Sequence, residues 1–273
     1  MPVTARRHIR KMRGGAQAHL LEADDGHFYV VKFRNNPQHR RILINEWIAS
    51  AFLAVLQIST PAAELVRLSE EFLLKNPEVY LQLGSRRVAV LPGWQFGSRY
   101  PGDPARTAVY DFVPDALIGK VINLAEFSGV FVFDKWMGNA DSRQSIFFRA
   151  RVSGAGTGSE SMGFVAYMMD HGFVFDGPHW TFTDSPLQGL YFRPAVYRNV
   201  RSLKDFEPWL DRVMHFPEDA IDRAVKQIPS DWFEADEAEL EKVLLRLLAR
   251  RRRVPELIAS CREGRINPFP NWR

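Results

Sequence analysis

A Gly- and Pro-rich stretch, PGWQFGSRYPGDPA at residues 92–105, divides the chain into two unlike parts. Gly and Pro at this density interrupt regular structure. Before the stretch, short runs rich in Val, Tyr and Phe are separated by turns, which is typical of strands. After it, apolar residues recur at spacings of three and four, which is typical of helices. The sequence therefore predicts an α+β fold with two lobes. We expect a β-rich N-lobe over 1–97 and a larger, mainly helical C-lobe over 98–273, joined near 93–102.

The local patterns support this division. Residues 18–33 read as two strands around an Asp-Asp-Gly turn, and residues 38–58 carry the periodicity of a long helix. Other strands are predicted at 63–69, 86–92, 145–152 and 163–169, the last two joined by SGAGTGSES. Further helices are predicted at 124–138, 203–214, 217–228 and 236–263.

Composition excludes several classes of protein. No run of 18 apolar residues is present among the 273, so no membrane segment is expected. The single cysteine, Cys261, excludes an internal disulfide and a cysteine-based zinc site, and favours a reducing cytoplasm. The net charge of +4 suits an anionic ligand such as a nucleotide. The basic run at 249–253 ends a predicted helix, where the helix dipole favours cations, so a nucleic-acid partner is not expected.

Two charged residues and a glycine pair stand out in the first half. Lys32 lies in the apolar strand FYVVKF, and Glu46 lies in the helix that follows. Each has an ordinary explanation, a strand edge for Lys32 and a solvated helix face for Glu46. Together they suggest a half-solvated ion pair in which the carboxylate directs the ammonium to phosphate oxygens. Upstream, the glycines of MRGGAQAH either form a simple turn or let backbone N–H groups approach an anion.

The second half contributes two carboxylates. Asp141 lies in VFDKWMGNADSRQSIFF, a polar core between aromatic flanks, where Gly138-Asn139 could also form a surface turn. Asp170 ends the apolar strand of GFVAYMMDHGF. A carboxylate at the end of a buried strand can hold magnesium, and an Asx-turn is the alternative.

In this order the features resemble those of the HipA-like kinases, within the protein-kinase-like superfamily, over about residues 12–177. The resemblance implies a bilobal kinase that uses ATP with Mg²⁺ or Mn²⁺. It implies that Asp141 is the catalytic aspartate and that Asp170 binds the metal. Asn139 and Arg143 would hold the catalytic loop and counter phosphate charge. The residues expected to bind nucleotide are Gly14, Gly15, Ala16, Gln17, Lys32 and Glu46, with adenine against the backbone of Gln95, Phe96, Gly97 and Ser98.

The catalytic loop departs from the family pattern at one position. Kinases of this type place a metal-binding asparagine five residues after the catalytic aspartate, and here that residue is Ile146. The nearest oxygen donors are Gln144 and Ser145. We expect a loop one residue short, with Ser145 at the metal and Ile146 in the core beneath the hairpin.

Three functions stay open on the sequence. The first is transfer of a γ-phosphoryl group to a Ser or Thr of a protein substrate. The second is a small-molecule kinase of the aminoglycoside-phosphotransferase type. The third is a nucleotide-binding pseudokinase, which the isoleucine favours. An antitoxin-type partner also stays open.

Overall fold

The computed structural model describes residues 2–153 and 160–273, without the side chains of 152, 153, 160 and 161. Most of the SGAGTGSES connection lies outside the described residues. The strands are β1 (Val3–Lys11), β2 (His19–Ala23), β3 (Phe28–Lys32), β4 (Ala63–Leu68), β5 (Tyr80–Leu83), β6 (Arg86–Ala89), β7 (Gly93–Arg99), β8 (Val109–Tyr110), β9 (Gln144–Ser153) and β10 (Glu160–Met169). The helices are α1 (Arg41–Val55), α2 (Glu70–Lys75), α3 (Asp115–Ile118), α4 (Glu126–Met137), α5 (Trp209–Met214), α6 (Glu218–Lys226), α7 (Glu237–Arg250) and α8 (Val254–Glu263).

The N-lobe is a strongly curved sheet with strand order β1-β2-β3-β7-β4. Neighbours are antiparallel, except that the first residues of β1 pair in parallel with β4 and close the sheet on itself. Alternate residues on one face form an apolar core that includes Leu21, Val31 and Val66. Lys32 lies opposite Phe96, near the middle of the sheet, and therefore is not at a sheet edge.

Helix α1 packs between the sheet and the C-lobe. Most of its residues are buried, in agreement with a helix that is apolar on nearly every side. It falls within the predicted range 38–58. At its centre, Asn45 Nδ2 donates to the carbonyls of Gly172, Val174 and Gly177, at 2.7, 3.1 and 3.1 Å. The helix is thus anchored directly to the segment that follows β10.

The C-lobe is built around α4, on which Phe127, Phe131, Phe133 and Trp136 are fully buried. The sheet β10-β9-β8 covers one side of this core, and the C-terminal helices cover the others. Within the described residues, no helix is long and apolar enough to cross a membrane. The mixed architecture, with a β-rich N-terminal part and a helical C-terminal part, confirms the predicted fold class.

The predicted joint between the lobes is displaced along the chain. Residues 93–99 form strand β7, between β3 and β4, and the chain leaves the N-lobe sheet only after Arg99. Position 97 requires glycine because a side chain of the neighbouring strand β4 lies over it: an added Cβ would lie 2.5 Å from Val66 Cγ2. The glycine therefore serves packing, and the connection to β8 runs through residues 100–108.

Other elements differ from expectation for local reasons. The basic N-terminal stretch forms β1, whose buried residues are the small Val3 and Ala5. The helix predicted at 203–214 is interrupted before Pro208, which cannot continue a helix from the preceding turn. The helix predicted at 236–263 becomes α7 and α8, joined by a 3₁₀ turn at Arg251–Arg253.

Candidate active site

The ammonium of Lys32 lies between two carboxylates. It pairs with Glu46 of α1 and, at 2.7 Å, with Asp170 Oδ1 just after β10. The side chains of Lys32 and Glu46 are 11% and 3% exposed, and that of Asp170 is 33% exposed. Lys32 and Glu46 thus form the predicted ion pair, but it is buried, not half-solvated. Three separate elements meet at this one ammonium.

The pKa values of the three groups reflect their mutual attraction. Burial alone lowers the pKa of Lys32, but attraction from Glu46 and then Asp170 outweighs burial and raises it above its ordinary value. Attraction from Lys32 lowers the pKa of Asp170, against the effect of burial. For Glu46, burial is the larger effect and raises the pKa, and Lys32 offsets only part of it.

The charge of this cluster fits a bound cation. Two carboxylates and one ammonium leave one negative charge in excess at a largely buried site, which is unfavourable without a further positive charge. Asp170 is the most exposed of the three, and only its Oδ1 contacts Lys32. A hard cation such as Mg²⁺ takes carboxylate oxygens together with water and phosphate oxygens. The residues present therefore fit a divalent metal beside Asp170.

The backbone at Asp170 is set for this position. Its φ of +60° lies in the left-handed region, which aspartate tolerates better than most residues. Two residues later, Gly172 packs directly beneath α1. A Cβ at Gly172 would lie 2.7 Å from Ile42 Cγ2 and 3.4 Å from Glu46 Oε1. Glycine is required here because a larger side chain would displace the helix that carries Glu46.

The C-lobe also fixes the position of α1 from the other side. Arg41 donates twice to Asp236, at 2.7 and 2.8 Å, and Arg40 donates once, at 2.7 Å. Trp47 Nε1, beside Glu46 in sequence, donates to the carbonyl of Ala224 in α6 at 3.1 Å. The orientation of Glu46 therefore depends on the C-terminal helices.

The catalytic-loop segment begins where α4 ends. Gly138, in the left-handed conformation, terminates the helix. Asn139 is fully buried: its Nδ2 donates to Asp134 at 3.0 Å, and its Oδ1 accepts from the backbone of Asp141 at 3.1 Å. Asp141 itself is exposed, and its carboxylate accepts from Ser142 N at 2.7 Å. Asn139 thus holds the loop in shape from inside, and the side chain of Asp141 lies on the surface of the loop.

Arg143 does not face a phosphate site. Its guanidinium pairs with Asp134 through two nitrogens, and both side chains are fully buried. A third nitrogen donates to the carbonyl of Met169, the residue before Asp170, at 2.7 Å. The expectation that Arg143 counters phosphate charge is therefore wrong. Arg143 is a positioning residue that ties the loop after α4 to the end of β10, and its partner Asp134 was missed in the sequence.

His171 extends the same network. Arg143 donates to His171 Nδ1 at 3.0 Å, so Nε2 carries the proton and donates to Thr60 Oγ1 at 3.1 Å. Thr60 in turn donates to the carbonyl of Met168 at 2.8 Å. Burial and then Arg143 lower the pKa of His171 well below its ordinary value. The neutral imidazole thus links the catalytic loop to the segment after α1.

The hairpin places Gln144, Ser145 and Ile146 differently from expectation. Ser145 lies opposite Met168, on the face that points into the core, and its hydroxyl is buried without a hydrogen-bond partner among the described residues. Ile146 is half-buried on the other face. Gln144 shares that face, is exposed, and lies opposite Met169, next to Asp170. Gln144, and not Ser145, is therefore the candidate metal ligand.

The glycine loop is held by a side chain. Gly14 has a φ of +116°, and Gln17 has a φ of +50°. The amide of Gln17 exchanges two hydrogen bonds of 2.7 Å with the backbone of Gln82 in β5. Gly14, Gly15 and Ala16 between β1 and β2 are exposed or half-buried. Gln17 therefore anchors the loop, which leaves the glycines as the part that could approach a ligand.

The expected adenine contact at residues 95–98 is wrong. The backbone of Phe96, Gly97 and Ser98 is paired with β3 on one side and β4 on the other. Gln95 is fully buried, accepts from Arg34 N at 2.7 Å and donates to Leu91 O at 2.9 Å. These residues are structural. The connection at 100–108 is the segment that joins the two sheets.

Comparison with known proteins identifies the family. The family model of the HipA-like kinases matches residues 6–257. The chain belongs to the HipA-like kinase family. No curated protein matches it in sequence.

Two solved structures have a similar fold. One is a crystal structure of the Golgi casein kinase, with a TM-score of 0.54, 14% identity, and coverage of 97% of this chain and 74% of that chain. The other is the Golgi casein kinase with Mn and ADP bound, with a TM-score of 0.50, 12% identity and coverage of 97% and 73%. At this identity the likeness shows the kinase fold.

Replacing Lys32 by Met tests the buried charge cluster. The substitution leaves Glu46 and Asp170 together without a cation, so we expect a loss of about 3 kcal/mol in the free energy of unfolding at pH 8. In the variant the folded-state carboxylate pKa rises above the unfolded value. The deficit should therefore be small below about pH 4, grow as pH rises from the unfolded pKa towards the raised folded pKa, and level off above the folded pKa.

The measurement is urea unfolding of wild type and variant between pH 4 and 8. Lys75→Met removes an exposed ion pair and is the matched control, with an expected cost much smaller than that of Lys32→Met. Equal, pH-independent losses in both variants would contradict a buried, coupled cluster.

Ser145 and Gln144 are distinguished by a pair of alanine variants. Ser145→Ala removes a buried unpaired hydroxyl, so it should raise the free energy of unfolding by about 1 kcal/mol and leave metal affinity unchanged. Gln144→Ala should weaken Mn²⁺ binding and leave stability within about 0.5 kcal/mol. Calorimetric metal titration and thermal unfolding check both; a metal-binding loss in Ser145→Ala and none in Gln144→Ala would reverse the assignment.

Proposed function

We propose that this HipA-like kinase transfers the γ-phosphoryl group of ATP to a hydroxyl, with Mg²⁺ or Mn²⁺, and that the acceptor is a Ser or Thr of a protein. The observation that carries the proposal is the Lys32 ammonium held at once by Glu46 and Asp170. A lysine fixed by a helix glutamate, beside a metal-binding aspartate, is the arrangement that orients ATP phosphates in kinases.

Each residue has a role in this proposal. Lys32 contacts phosphate oxygens, and Glu46 keeps its ammonium in place. Asp170, with Gln144, would hold the metal, which when bound neutralises phosphate charge. Backbone N–H groups at Gly14 and Gly15 approach the phosphates.

The acceptor hydroxyl is served by the catalytic loop. Asp141, presented outside the loop, orients the hydroxyl and accepts its proton. Asn139 and Arg143 maintain the geometry of the loop through Asp134. Because their polar groups are buried and already hydrogen-bonded, they act on the reaction through Asp141 and Asp170, without contacting the nucleotide.

The proposal of a protein substrate rests on membership of the family. No residue of this chain has been assigned to recognition of the acceptor. The similar fold with Mn and ADP bound supports nucleotide and divalent-metal use. Cys261, buried and free, is consistent with the cytoplasmic location that we also propose.

A second candidate function is a nucleotide-binding pseudokinase. It is favoured by Ile146, which stands at the position of the metal-binding asparagine. Under this alternative, nucleotide binds and no phosphoryl group is transferred. The Lys32 cluster supports both candidates, so only a measurement of turnover separates them.

The experiment combines nucleotide binding with transfer. We expect purified wild type to bind ATP in the presence of Mn²⁺ and to label itself or an added protein with ³²P. Asp170→Asn should lose the metal-dependent part of nucleotide binding. Asp141→Asn should keep binding within about two-fold and lose transfer by at least about 100-fold, because it acts on the acceptor.

Asp111→Asn, an exposed aspartate outside the site, is the matched control and should behave as wild type. Binding without any transfer in wild type would favour the pseudokinase. Labelling of an aminoglycoside or another small alcohol, with none of protein, would favour the small-molecule kinase.

A further inference from the structure

A groove outside the catalytic site runs between α6 and α7. Its volume is about 470 Å³, and residues of both helices line it. Its floor, formed by Val225, Leu244 and Leu248 with the exposed Leu245 at its side, is apolar. Leu245 is 61% exposed and lies beside the apolar lining residues of the groove. We call this surface the α6–α7 groove.

The rim of the groove is acidic. Glu218 and Asp222 line it on α6, and Glu237 and Glu241 line it on α7. Lys226 is the cation among its lining residues, so four carboxylates and one ammonium give a local charge of −3. The whole chain carries +4. The groove therefore has the opposite sign to the protein as a whole.

The carboxylates on the rim are largely uncompensated. In the described part of the chain, Asp222, Glu237 and Glu241 form no ion pair, and Glu218 is 3.7 Å from Arg251. Their side chains are exposed. A partner with positive charges would gain attraction along both edges of the groove, for the most part without displacing cations of this chain.

The shape favours a helical partner. Helix α7 spans 14 residues, roughly 21 Å at 1.5 Å per residue, so about four turns of a helix could lie alongside it. A helix in such a groove contacts it with apolar residues at i, i+3 or i+4, and i+7. Flanking Arg or Lys side chains would then reach the two acidic edges.

We propose that the α6–α7 groove is a docking site for a basic amphipathic helix of a partner protein. The apolar floor binds leucine-like anchors, and the carboxylates of the two edges select positive flanks. The site is independent of nucleotide, since none of these side chains belongs to the Lys32 cluster. The proposal therefore does not require that the chain transfer phosphate.

The test uses a fluorescein-labelled peptide of about 16 residues with leucines at helical i, i+3 and i+7 positions and arginines on the flanks. Anisotropy is measured without nucleotide, at low and high salt. We expect saturable binding that weakens as salt rises, because charge on an exposed rim is screened. A scrambled peptide of the same composition should bind at least about ten-fold more weakly.

Protein variants locate the binding surface. Leu245→Ser should weaken binding by about ten-fold, as expected for an interface anchor, and so should Glu237→Lys combined with Glu241→Lys. Leu74→Ser, at a leucine that is 83% exposed on α2, is the matched control and should have no effect. Thermal unfolding of each variant confirms that it is folded.

Three outcomes would overturn the proposal. They are equal binding of the scrambled peptide, equal loss in Leu74→Ser, and absence of binding up to about 1 mM peptide. A dimer in sedimentation that is lost in Leu245→Ser would assign the groove to a second copy of the chain instead.

Discussion

The structure depends on the placement of one ammonium between two carboxylates. Burying Lys32, Glu46 and Asp170 is costly unless their geometry is accurate, because each charge loses its hydration. Strand β3, helix α1 and the end of β10 must therefore meet within hydrogen-bond distance. Two features meet that requirement. Position 172 is a glycine, which lets α1 approach closely, and the backbone of Asp170 is left-handed.

A second buried ion pair supports the first without changing its charge. Arg143 and Asp134 neutralise each other, so they add no net charge beside a cluster that already has one negative charge in excess. Arg143 also holds the Met169 carbonyl and the His171 ring. The loop after α4 and the end of β10 are thereby joined through neutral or compensated groups, so the excess negative charge stays at the Lys32 cluster.

From the sequence, the order of the charged site residues along the strands and helices could be predicted better than the direction in which side chains point. The sequence singled out Lys32 in a strand, Glu46 in the next helix and Asp170 at the end of a later strand. The structure brings these three residues together. Ser145 was assigned as the metal ligand, but its side chain faces the core. A shift of one residue reverses the face of a strand, and the sequence pattern does not fix the residue at which β9 begins. The joint was placed too early because the sequence does not distinguish a glycine in a turn from Gly97, which lies within β7 against Val66 of the neighbouring strand. Asp134 carried a signal that was overlooked: a carboxylate inside the apolar helix VFVFDKWM requires a buried partner.

The position of Glu46 is set by the C-lobe as much as by the N-lobe. Arg40 and Arg41 at the start of α1 are held by Asp236, and Arg34 is held by Asp231 at 3.0 Å. Trp232 Nε1 donates to the Trp94 carbonyl of β7 at 2.9 Å. Residues 231–236 thus connect the helical lobe both to the sheet that carries Lys32 and to the helix that carries Glu46. Because bidentate arginine–carboxylate pairs are geometrically specific, α1 cannot rotate Glu46 away from Lys32 without breaking them. The C-terminal helices are therefore part of what keeps the Lys32 cluster assembled, although none of their side chains belongs to it.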